Sequence, residues 1–257
     1  HFHRDVLAIC DCFPRHILRS QADDVFIGTP PLAFTFGLGG LLLFPLRVGA
    51  AGVLIEKLSP DTLLAAIAEH RATVCFTAPT FYRQMAALAP QHDLSSLRCS
   101  VSAGEALPPA TRAAWEAASG LPMIDGIGAT ELLHIFIAGN GDDGHPGATG
   151  KPVPGYVACI LDEDGAPCGP GITGRLAVKG PTGCRYLDDA RQRDYVQDGW
   201  NLTGDAYEMD GDGYFYYRSR IDDMIVSAGY NIAGPEVEEV LLRHPAVLEC
   251  GVVGRRD

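Results

Sequence analysis

The chain has 257 residues, of which 47% are hydrophobic and 20% charged, and its formal net charge is −12. This balance is typical of a folded globular protein and argues against a disordered chain. The acidic net charge argues against nucleic acid or an anionic membrane as partner. Eight cysteines without a metal-like spacing predict reduced thiols and a cytoplasmic location.

Strand-like and helix-like stretches alternate in the first part of the chain. Val74–Phe76 and Cys99–Ser102 are short runs that predict strands, and Pro79–Leu88 between them predicts a helix. The pair Ser59-Pro60 predicts the N-terminus of another helix, with serine as N-cap. Such alternation predicts a parallel sheet layered with helices, with ligands beyond the carboxyl ends of its strands.

The longest apolar run in the sequence is Leu32–Leu46. Thr35, three glycines and Pro45 interrupt it, and it is too short to span a bilayer. We therefore expect a buried core segment. A second, shorter apolar run over Val53–Ile55 predicts a strand.

Two changes in composition divide the chain. From residue 146 to 220 glycine and proline become frequent between short apolar runs, which predicts a small antiparallel β unit. Beyond it, Met224–Val226 predicts a strand, Pro235–His244 a helix and Val247–Val253 a further strand. We therefore expect an α/β part over 1–145, a β-rich part over 146–220 and the start of a small α+β domain over 221–257.

The loop Asp125–Glu131 is the strongest candidate for a phosphate site. Gly126 and Gly128 permit close approach of the backbone to a ligand. Thr130 offers a hydroxyl to a phosphate, and a carboxylate such as that of Glu131 is a ligand for Mg²⁺. A tight turn whose Thr and Glu cap a following helix is the alternative, and the loop alone leaves both interpretations open.

Three other polar loops carry candidate groups. Ser102–Pro108 contains small residues that can lie flat against a planar base. Leu202–Asp205 ends in a carboxylate of the kind that binds ribose hydroxyls. Ser219–Asp223 lies where the third part of the chain begins. Taken singly, each is an ordinary connection.

In this order and spacing, the loops resemble the signatures of the adenylate-forming superfamily, which contains acyl- and aryl-CoA synthetases, luciferases and peptide-synthetase adenylation domains. Ile127–Glu131 matches its small-Gly-x-Thr-Glu motif, and Thr203–Asp205 matches its Thr-Gly-Asp motif. Arg220–Asp223 matches its Gly-Arg-x-Asp-Asp motif, with Ser219 in place of the glycine. Gly229–Glu238 resembles the next block of the family.

A narrower resemblance is to benzoate-CoA and 2-aminobenzoate-CoA ligases. It is carried by Asp125–Phe136, by His3–Leu7 near the start and by Lys179–Tyr186. Most of the superfamily has a tyrosine before the Gly of the Thr-Glu motif. Ile127 takes that position here, as in the benzoate-type ligases.

The resemblance implies an ATP-dependent ligase that converts benzoate or 2-aminobenzoate to an aryl-adenylate and then to a CoA thioester. ATP, Mg²⁺ and CoA are the implied cofactors and co-substrates. The implied catalytic residues are Thr130 and Glu131, with Glu131 as the metal ligand, Asp222 as the hinge of a C-terminal lid domain and Gly229 beside CoA. The implied ATP- or AMP-binding residues are Gly104, Glu105, Ala106, Asp125, Gly126, Ile127, Gly128, Thr130, Asp205 and Arg220.

An aryl slot is predicted from the segment Pro31–Gly39, which resembles the family segment that carries an aromatic gate. Phe34, Phe36 and Gly37 are candidates for a flat apolar wall. His134 is the polar candidate for facing the ring or an ortho substituent. Core aromatics and a structural histidine are the alternatives, and both stay open.

Two parts that the resemblance implies are missing from this sequence. The Ser/Thr/Gly-rich phosphate loop of the family precedes the segment with which this chain begins, and no lysine follows Lys179 to serve as the family's catalytic lysine. Gly147–Pro152 is no substitute, because a proline replaces the Ser/Thr that a P-loop needs. We therefore expect a fragment of a longer enzyme, inactive by itself.

Two other interpretations remain open at this stage. One is a truncated nucleotide-binding remnant without catalysis. The other is an adenylation domain for a different aromatic acid; a peptide-synthetase domain would carry an Asp in the acid site, and the sequence offers no clear one. The expected partners are small molecules, without nucleic acid or membrane, and a homodimer is left open.

Overall fold

A computed structural model describes residues 1–139, 144–227, 230–244, 246–247 and 250–254. Its α-helices are α1 (His3–Asp11), α2 (Thr35–Gly37), α3 (Phe44–Val48), α4 (Pro60–His70), α5 (Pro79–Leu88), α6 (Pro109–Ser119), α7 (Arg191–Tyr195) and α8 (Gly234–Leu242). Its strands are β1 (Val25–Gly28), β2 (Ala51–Val53), β3 (Val74–Thr77), β4 (Cys99–Ser102), β5 (Met123–Gly128), β6 (Ile135–Gly139), β7 (Lys151–Pro152), β8 (Val157–Leu161), β9 (Gly174–Lys179), β10 (Val196–Gln197), β11 (Trp200–Met209), β12 (Phe215–Arg220), β13 (Ile225–Ser227) and β14 (Tyr230–Ile232). Short π-helical turns cover Pro14–Leu18 and Leu38–Leu43, and 3₁₀ turns cover Ala89–Gln91 and Thr130–Leu132.

The described chain forms two compact units. The first contains His1–Val157 and Lys179–Asp188, and the second contains Ala158–Val178 and Asp189–Asp257. The finer division predicted at residues 145 and 220 stays a prediction. The predicted fold class is confirmed: a mixed α/β protein with a helix-covered parallel sheet and a separate antiparallel sheet.

The first unit is built on a seven-stranded sheet in the order β2-β1-β3-β4-β5-β6-β7. The five strands β1 to β5 are parallel, as predicted. The helices α4, α5 and α6 connect β2 to β3, β3 to β4 and β4 to β5. β6 and β7 run antiparallel at one edge of the sheet, a feature that was not predicted from the sequence. The loops after β4 and β5 therefore leave the sheet at its carboxyl edge, where such sheets bind ligands.

Side chains that point to the two faces of this sheet belong to two separate hydrophobic cores. Ile27 and Cys75 belong to the cluster that α4 to α6 build with Trp115 and Tyr82. Phe26, the neighbour of Ile27 on β1, stacks instead on Phe76 with ring centroids 6.3 Å apart. Because successive side chains of a strand point to opposite faces, the helix layer and an aromatic cluster lie on different sides of this sheet.

Several predicted elements are confirmed with their ends. Ser59 caps α4, since its hydroxyl accepts a hydrogen bond from the Thr62 N–H at 3.1 Å. The predicted helix Pro79–Leu88 and strand Cys99–Ser102 have the predicted bounds. The strand predicted over Val53–Ile55 instead covers Ala51–Val53, because pairing with β1 decides its position.

The prediction of a buried core segment over Leu32–Leu46 is only half right. The segment is mostly helical and therefore has an inner and an outer face. Leu41 and Phe44 are buried, whereas Leu46 is 67% exposed. Apolar composition alone did not reveal which face the neighbouring elements cover.

A buried carboxylate paired with a partly exposed arginine stabilises the start of β1. Asp24 is 3% exposed and receives two hydrogen bonds from the Arg98 guanidinium, at 2.7 and 2.6 Å. The Thr73 hydroxyl and the Gln21 N–H also donate to this carboxylate. Burial alone would raise the pKa of Asp24, but these hydrogen bonds hold it below its ordinary value.

The second unit contains a five-stranded sheet in the order β10-β11-β9-β8, with β12 paired to β11. The pairings of β11 with β9, β10 and β12 are antiparallel, as predicted for this part. β13 and β14 form a hairpin that is followed by α8. The strand predicted over Val247–Val253 is wrong for its described residues, 247 and 250–253, which lie in irregular structure.

Within the part of the chain that the structure describes, no helix combines the length and the apolar character needed to cross a membrane.

Candidate active site

The Thr-Glu loop lies at the carboxyl end of β5. The strand ends at Gly128, and a 3₁₀ turn over Thr130–Leu132 follows and ends at Leu133 with φ +72°. A side chain at Gly128 would place its Cβ 2.9 Å from the His134 backbone. The glycine therefore permits a close approach between the end of β5 and the chain just before β6. The predicted approach of this backbone to a ligand stays a prediction.

The Glu131 carboxylate has a fixed partner in the first unit. Glu131 is half-buried, and the Tyr186 hydroxyl donates a hydrogen bond to its Oε1 at 2.5 Å. Thr130 is exposed, and its carbonyl accepts a hydrogen bond from Nε2 of His1 at 2.7 Å. Glu131 thus does not simply cap the turn that contains it.

A second contact joins the segment around Tyr186 to the same turn. The Thr182 hydroxyl donates to the Leu132 carbonyl at 2.7 Å, and its oxygen lies 2.8 Å from the Tyr156 hydroxyl. Since the single Thr182 proton goes to the carbonyl, the Tyr156 hydroxyl donates to Thr182. No role for Tyr156, Thr182 or Tyr186 was predicted from the sequence. For Thr182 and Tyr186 the one signal was the resemblance of Lys179–Tyr186 to aryl-CoA ligases.

The loop after β4 carries the residues predicted beside adenine. Gly104, Glu105 and Ala106 are exposed, and Gly104 has φ +92°, a conformation that favours glycine. The Glu105 carboxylate accepts hydrogen bonds from the Thr80 hydroxyl at 2.7 Å and from the Thr80 N–H at 3.3 Å. Glu105 therefore caps the first turn of α5, which has no capping side chain of its own.

Asp125 and Ser102 are paired in register on neighbouring parallel strands beneath this loop. Asp125 is 9% exposed, and burial raises the pKa of its carboxyl to about 7, against an opposing effect of the Arg112 guanidinium. Ser102 is also buried, and its hydroxyl has no hydrogen-bond partner among the described residues. Gly126 and Ile127 continue β5 beyond this pair.

His134 lies at the centre of the aromatic cluster. It is 2% exposed, and its ring centroid lies 4.5 Å from that of Phe44 and 5.9 Å from that of Phe36. Phe13 and Phe76 complete its ring contacts in the described chain. Burial lowers the pKa of His134 to about 3, although the hydrogen bond to the Phe36 carbonyl acts in the opposite direction. The imidazole is therefore neutral at physiological pH.

The tautomer of His134 follows from its one hydrogen bond. Nε2 lies 3.4 Å from the Phe36 carbonyl, which only accepts, so Nε2 carries the proton. Nδ1 is then an acceptor, and it has no partner in the described part of the chain. A Cβ at Gly39 would lie 2.3 Å from Cδ2 of His134, so the glycine leaves room for the ring.

The other predicted residues of the aryl slot differ in their exposure and in their contacts. Phe36 is half-buried against His134. Phe34 is 66% exposed and is not among the ring contacts of His134. Gly37 is buried, and a Cβ there would lie 2.3 Å from the Pro31 carbonyl oxygen, so this glycine serves backbone packing. The substrate role of all four residues stays a prediction.

The predicted ribose residues meet in the second unit. Asp205 on β11 pairs in register with Arg220 on β12, and the Arg220 guanidinium donates to the Asp205 carboxylate at 2.9 Å and to the Thr203 carbonyl at 3.0 Å. Burial raises the pKa of Asp205, while hydrogen bonds from Thr203 and Arg220 oppose the rise. Gly204, with φ +78°, allows the guanidinium to pass, because a Cβ there would lie 2.7 Å from Nη2.

The last two predicted residues follow β12. Asp222 is exposed in the turn after the strand. Gly229, predicted beside CoA, lies outside the described residues.

The possible metal ligands among the described residues fit a magnesium ion that binds as a complex with a nucleotide. The described residues contain no group of three or more His, Cys, Asp or Glu side chains that could hold a metal ion. Mg²⁺ is usually bound through one or two carboxylates together with substrate phosphates. Glu131, with its carboxylate held in place by Tyr186, meets that requirement as a single protein ligand.

Comparison with known proteins identifies the family. The model of the AMP-binding enzyme family matches residues 1–185. The chain belongs to this family. It is 38% identical to the benzoate–CoA ligase of Thauera aromatica over 263 aligned positions, which cover all of this chain and 50% of that protein. The chain spans about half the length of the curated relatives it matches.

Two solved structures share both sequence and fold with this family member. The anthranilate CoA ligase AuaEII in complex with anthranoyl-AMP is 39% identical, with a TM-score of 0.92 over all of this chain and 51% of that protein. A benzoate CoA ligase from Burkholderia xenovorans LB400 is 35% identical, with a TM-score of 0.90 over all of this chain and 53% of that protein. The resemblance to aryl-CoA ligases predicted from the motifs is thus confirmed.

Proposed function

We propose that the completed protein, meaning this chain joined to the segments that precede and follow it in its gene, is an ATP-dependent aryl-CoA ligase. Its substrate is benzoate or 2-aminobenzoate, which it converts to an aryl-adenylate and then to a CoA thioester. One observation carries the proposal. The Thr130–Glu131 turn, in which Tyr186 holds the Glu131 carboxylate, lies at the carboxyl edge of the sheet. Three residues further along the chain, the buried and neutral His134 lies in an aromatic cluster.

The first half-reaction needs charge neutralisation more than it needs a base. A carboxylate resists nucleophilic attack, and transfer of AMP to it creates a good leaving group. The exposed Thr130 hydroxyl is available to donate to a phosphate oxygen, and Glu131 is the side chain that would hold Mg²⁺. When bound, Mg²⁺ supplies positive charge against the phosphates as they react.

The same proposal assigns the nucleotide to the other motif residues. Gly104, Glu105 and Ala106 present their exposed backbone to adenine, because the Glu105 side chain is engaged by Thr80. Asp125, Gly126, Ile127 and Gly128 form the remaining part of this site. Asp205 and Arg220 hold the ribose, Asp222 is the hinge and Gly229 lies beside CoA. A requirement for ATP and CoA fits a cytoplasmic location, which stays a prediction.

The substrate assignment depends on His134. An aromatic ring that enters the cluster would gain contact with Phe36. In this proposal the flat slot does not accommodate a long flexible acyl chain, so aromatic acids are preferred. Since Nε2 of His134 donates to the Phe36 carbonyl, its Nδ1 is free to accept a hydrogen bond from an ortho amine. This favours 2-aminobenzoate over benzoate.

The test compares kcat/KM of the completed protein for benzoate, 2-aminobenzoate and hexanoate, with and without His134→Ala. We expect both aromatic acids to be preferred over hexanoate, and the variant to lose more activity with 2-aminobenzoate than with benzoate. A preference for hexanoate would reject the aromatic slot. Equal losses on both aromatic acids would remove His134 as the group that recognises the amine.

The alternatives are a remnant that binds nucleotide without catalysis and an adenylation domain for another aromatic acid. A lysine in the segment after residue 257 and a Ser/Thr/Gly-rich loop before residue 1 would favour the ligase over the remnant. We expect the 257 residues alone to make no benzoyl-CoA from benzoate, ATP, Mg²⁺ and CoA. Robust thioester formation by the isolated chain would contradict this expectation.

A further inference from the structure

Tyr186 has no role in the function proposed so far, yet its hydroxyl donates a hydrogen bond to the Glu131 carboxylate. Its hydroxyl oxygen lies 2.5 Å from Oε1 of Glu131, 55 residues away along the chain. A hydroxyl that donates to an ionised carboxylate makes a strong bond of fixed direction. The contact therefore limits the rotation of a carboxylate that would otherwise turn in a half-exposed position.

The segment that carries Tyr186 is itself anchored to the same turn. Thr182 is 4% exposed and donates to the Leu132 carbonyl, and Tyr156, 5% exposed, donates in turn to Thr182. Two contacts four residues apart thus hold the segment against the Thr130–Leu132 turn. The contacts of Thr182 therefore hold the segment that carries Tyr186 in place, and they do not involve the Glu131 side chain.

We propose that Tyr186 is a positioning residue for magnesium binding: its hydroxyl occupies Oε1 of Glu131 and leaves Oε2 to face the metal–nucleotide complex. This inference rests on the proposed function, in which Glu131 is the protein ligand of Mg²⁺. Groups that hydrogen-bond a metal-ligating carboxylate fix its direction, and their loss typically lowers metal affinity about 10- to 100-fold.

The experiment measures metal binding directly. Mn²⁺ replaces Mg²⁺ as a paramagnetic probe, and its affinity for the completed protein is measured by water-proton relaxation with a non-hydrolysable ATP analogue present. Tyr186→Phe removes one oxygen atom and keeps the ring. We expect Mn²⁺ affinity to fall about tenfold, while the thermal unfolding midpoint stays close to that of the wild type.

Tyr216→Phe is the matched control. The Tyr216 hydroxyl also donates to a carboxylate, that of Asp210 at 3.0 Å, but the proposed metal site does not contain this pair. We expect this variant to bind Mn²⁺ as the wild type does. A loss equal to that of Tyr186→Phe would mean that removing any such hydroxyl lowers metal affinity through general destabilisation, and would overturn the proposal.

A double-mutant cycle with Glu131→Gln separates positioning from a merely structural role. If Tyr186 acts through the Glu131 carboxylate, then Tyr186→Phe causes less than about a twofold further loss in the Glu131→Gln background. The same tenfold loss in both backgrounds, or unchanged Mn²⁺ affinity in Tyr186→Phe alone, would overturn the proposal. A wild-type protein that binds the Mn²⁺–nucleotide complex but forms no aryl-adenylate would reject the proposed function, and the binding cycle would still decide the role of Tyr186.

Discussion

Two buried titratable groups in the first unit should give opposite pH dependences of stability. The pKa of His134 falls from an ordinary value of 6.5 to about 3 in the folded protein, so its contribution is complete above pH 6.5 and is lost as the pH falls. The pKa of Asp125 rises from 3.8 to about 7, so its contribution is complete below pH 3.8 and is lost as the pH rises through 7. Within the range from pH 5 to pH 7.5 the two effects oppose each other.

The magnitudes follow from the linkage relation. Between pH 7.5 and pH 5, protonation of His134 in the unfolded chain lowers the free energy of unfolding by about 2 kcal/mol. Over the same change, Asp125 raises it by about 2–3 kcal/mol, because the folded protein takes up the proton first. From these two groups the wild type should therefore change by less than about 1 kcal/mol over this range.

Single substitutions reveal each slope separately. Relative to the wild type, we expect Asp125→Asn to lose about 2–3 kcal/mol of stability between pH 7.5 and pH 5, and His134→Gln to gain about 2 kcal/mol over the same change. Urea unfolding followed by circular dichroism at pH 5.0, 6.0 and 7.5 measures this, and other titrating groups cancel when each variant is compared with the wild type. A curve for Asp125→Asn that runs parallel to that of the wild type would refute the reasoning for Asp125.

Three further predictions concern single positions. Glu131→Gln in the completed protein should lower pyrophosphate exchange about 100-fold or more while benzoate binding changes little, and exchange at the wild-type rate would contradict the metal role. Gly39→Ala places a methyl group 2.3 Å from the His134 ring and should destabilise the protein by about 1–3 kcal/mol in urea unfolding, whereas Gly169→Ala, with no atom within 4 Å, should be close to neutral. Asp24→Asn removes the buried carboxylate that accepts hydrogen bonds from the partly exposed Arg98 guanidinium, the Thr73 hydroxyl and the Gln21 N–H, and should cost about 1–3 kcal/mol in the same assay; a loss under about 0.5 kcal/mol would contradict the importance of these hydrogen bonds.

The elements with strong local signals were predictable from the sequence. Proline at the first helical position and serine before it fixed the start of α4, and the helix Pro79–Leu88 was predicted with its observed ends. Short-range rules suffice where the deciding contacts lie within one turn of helix. The strand over Val53–Ile55 was displaced because its pairing with β1, and not its own composition, decides where it lies.

The antiparallel edge of the main sheet was not predictable in the same way. β6 follows β5 after a short turn that ends at Leu133 with φ +72°, which is uncommon for a leucine. The apolar residues of β6 are the same types that build parallel strands, so composition does not distinguish the two directions. The turn reverses the chain, and its geometry depends on contacts with distant residues such as Thr182.

The charged residues of the motifs show why a candidate site can be proposed from sequence while its geometry cannot. Glu105 and Arg220 were predicted to bind ATP or AMP, and Glu131 was predicted to bind Mg²⁺. Each side chain is held by a residue of its own unit, namely Thr80 for Glu105, Tyr186 for Glu131 and Asp205 for Arg220, at sequence separations of 25, 55 and 15. Asp205 lies in the Thr-Gly-Asp motif and Tyr186 ends the stretch Lys179–Tyr186 that resembles the aryl-CoA ligases, whereas Thr80 lies in no motif. A motif identifies candidate residues, but the orientation of their side chains depends on partners that the fold brings near from distant parts of the chain.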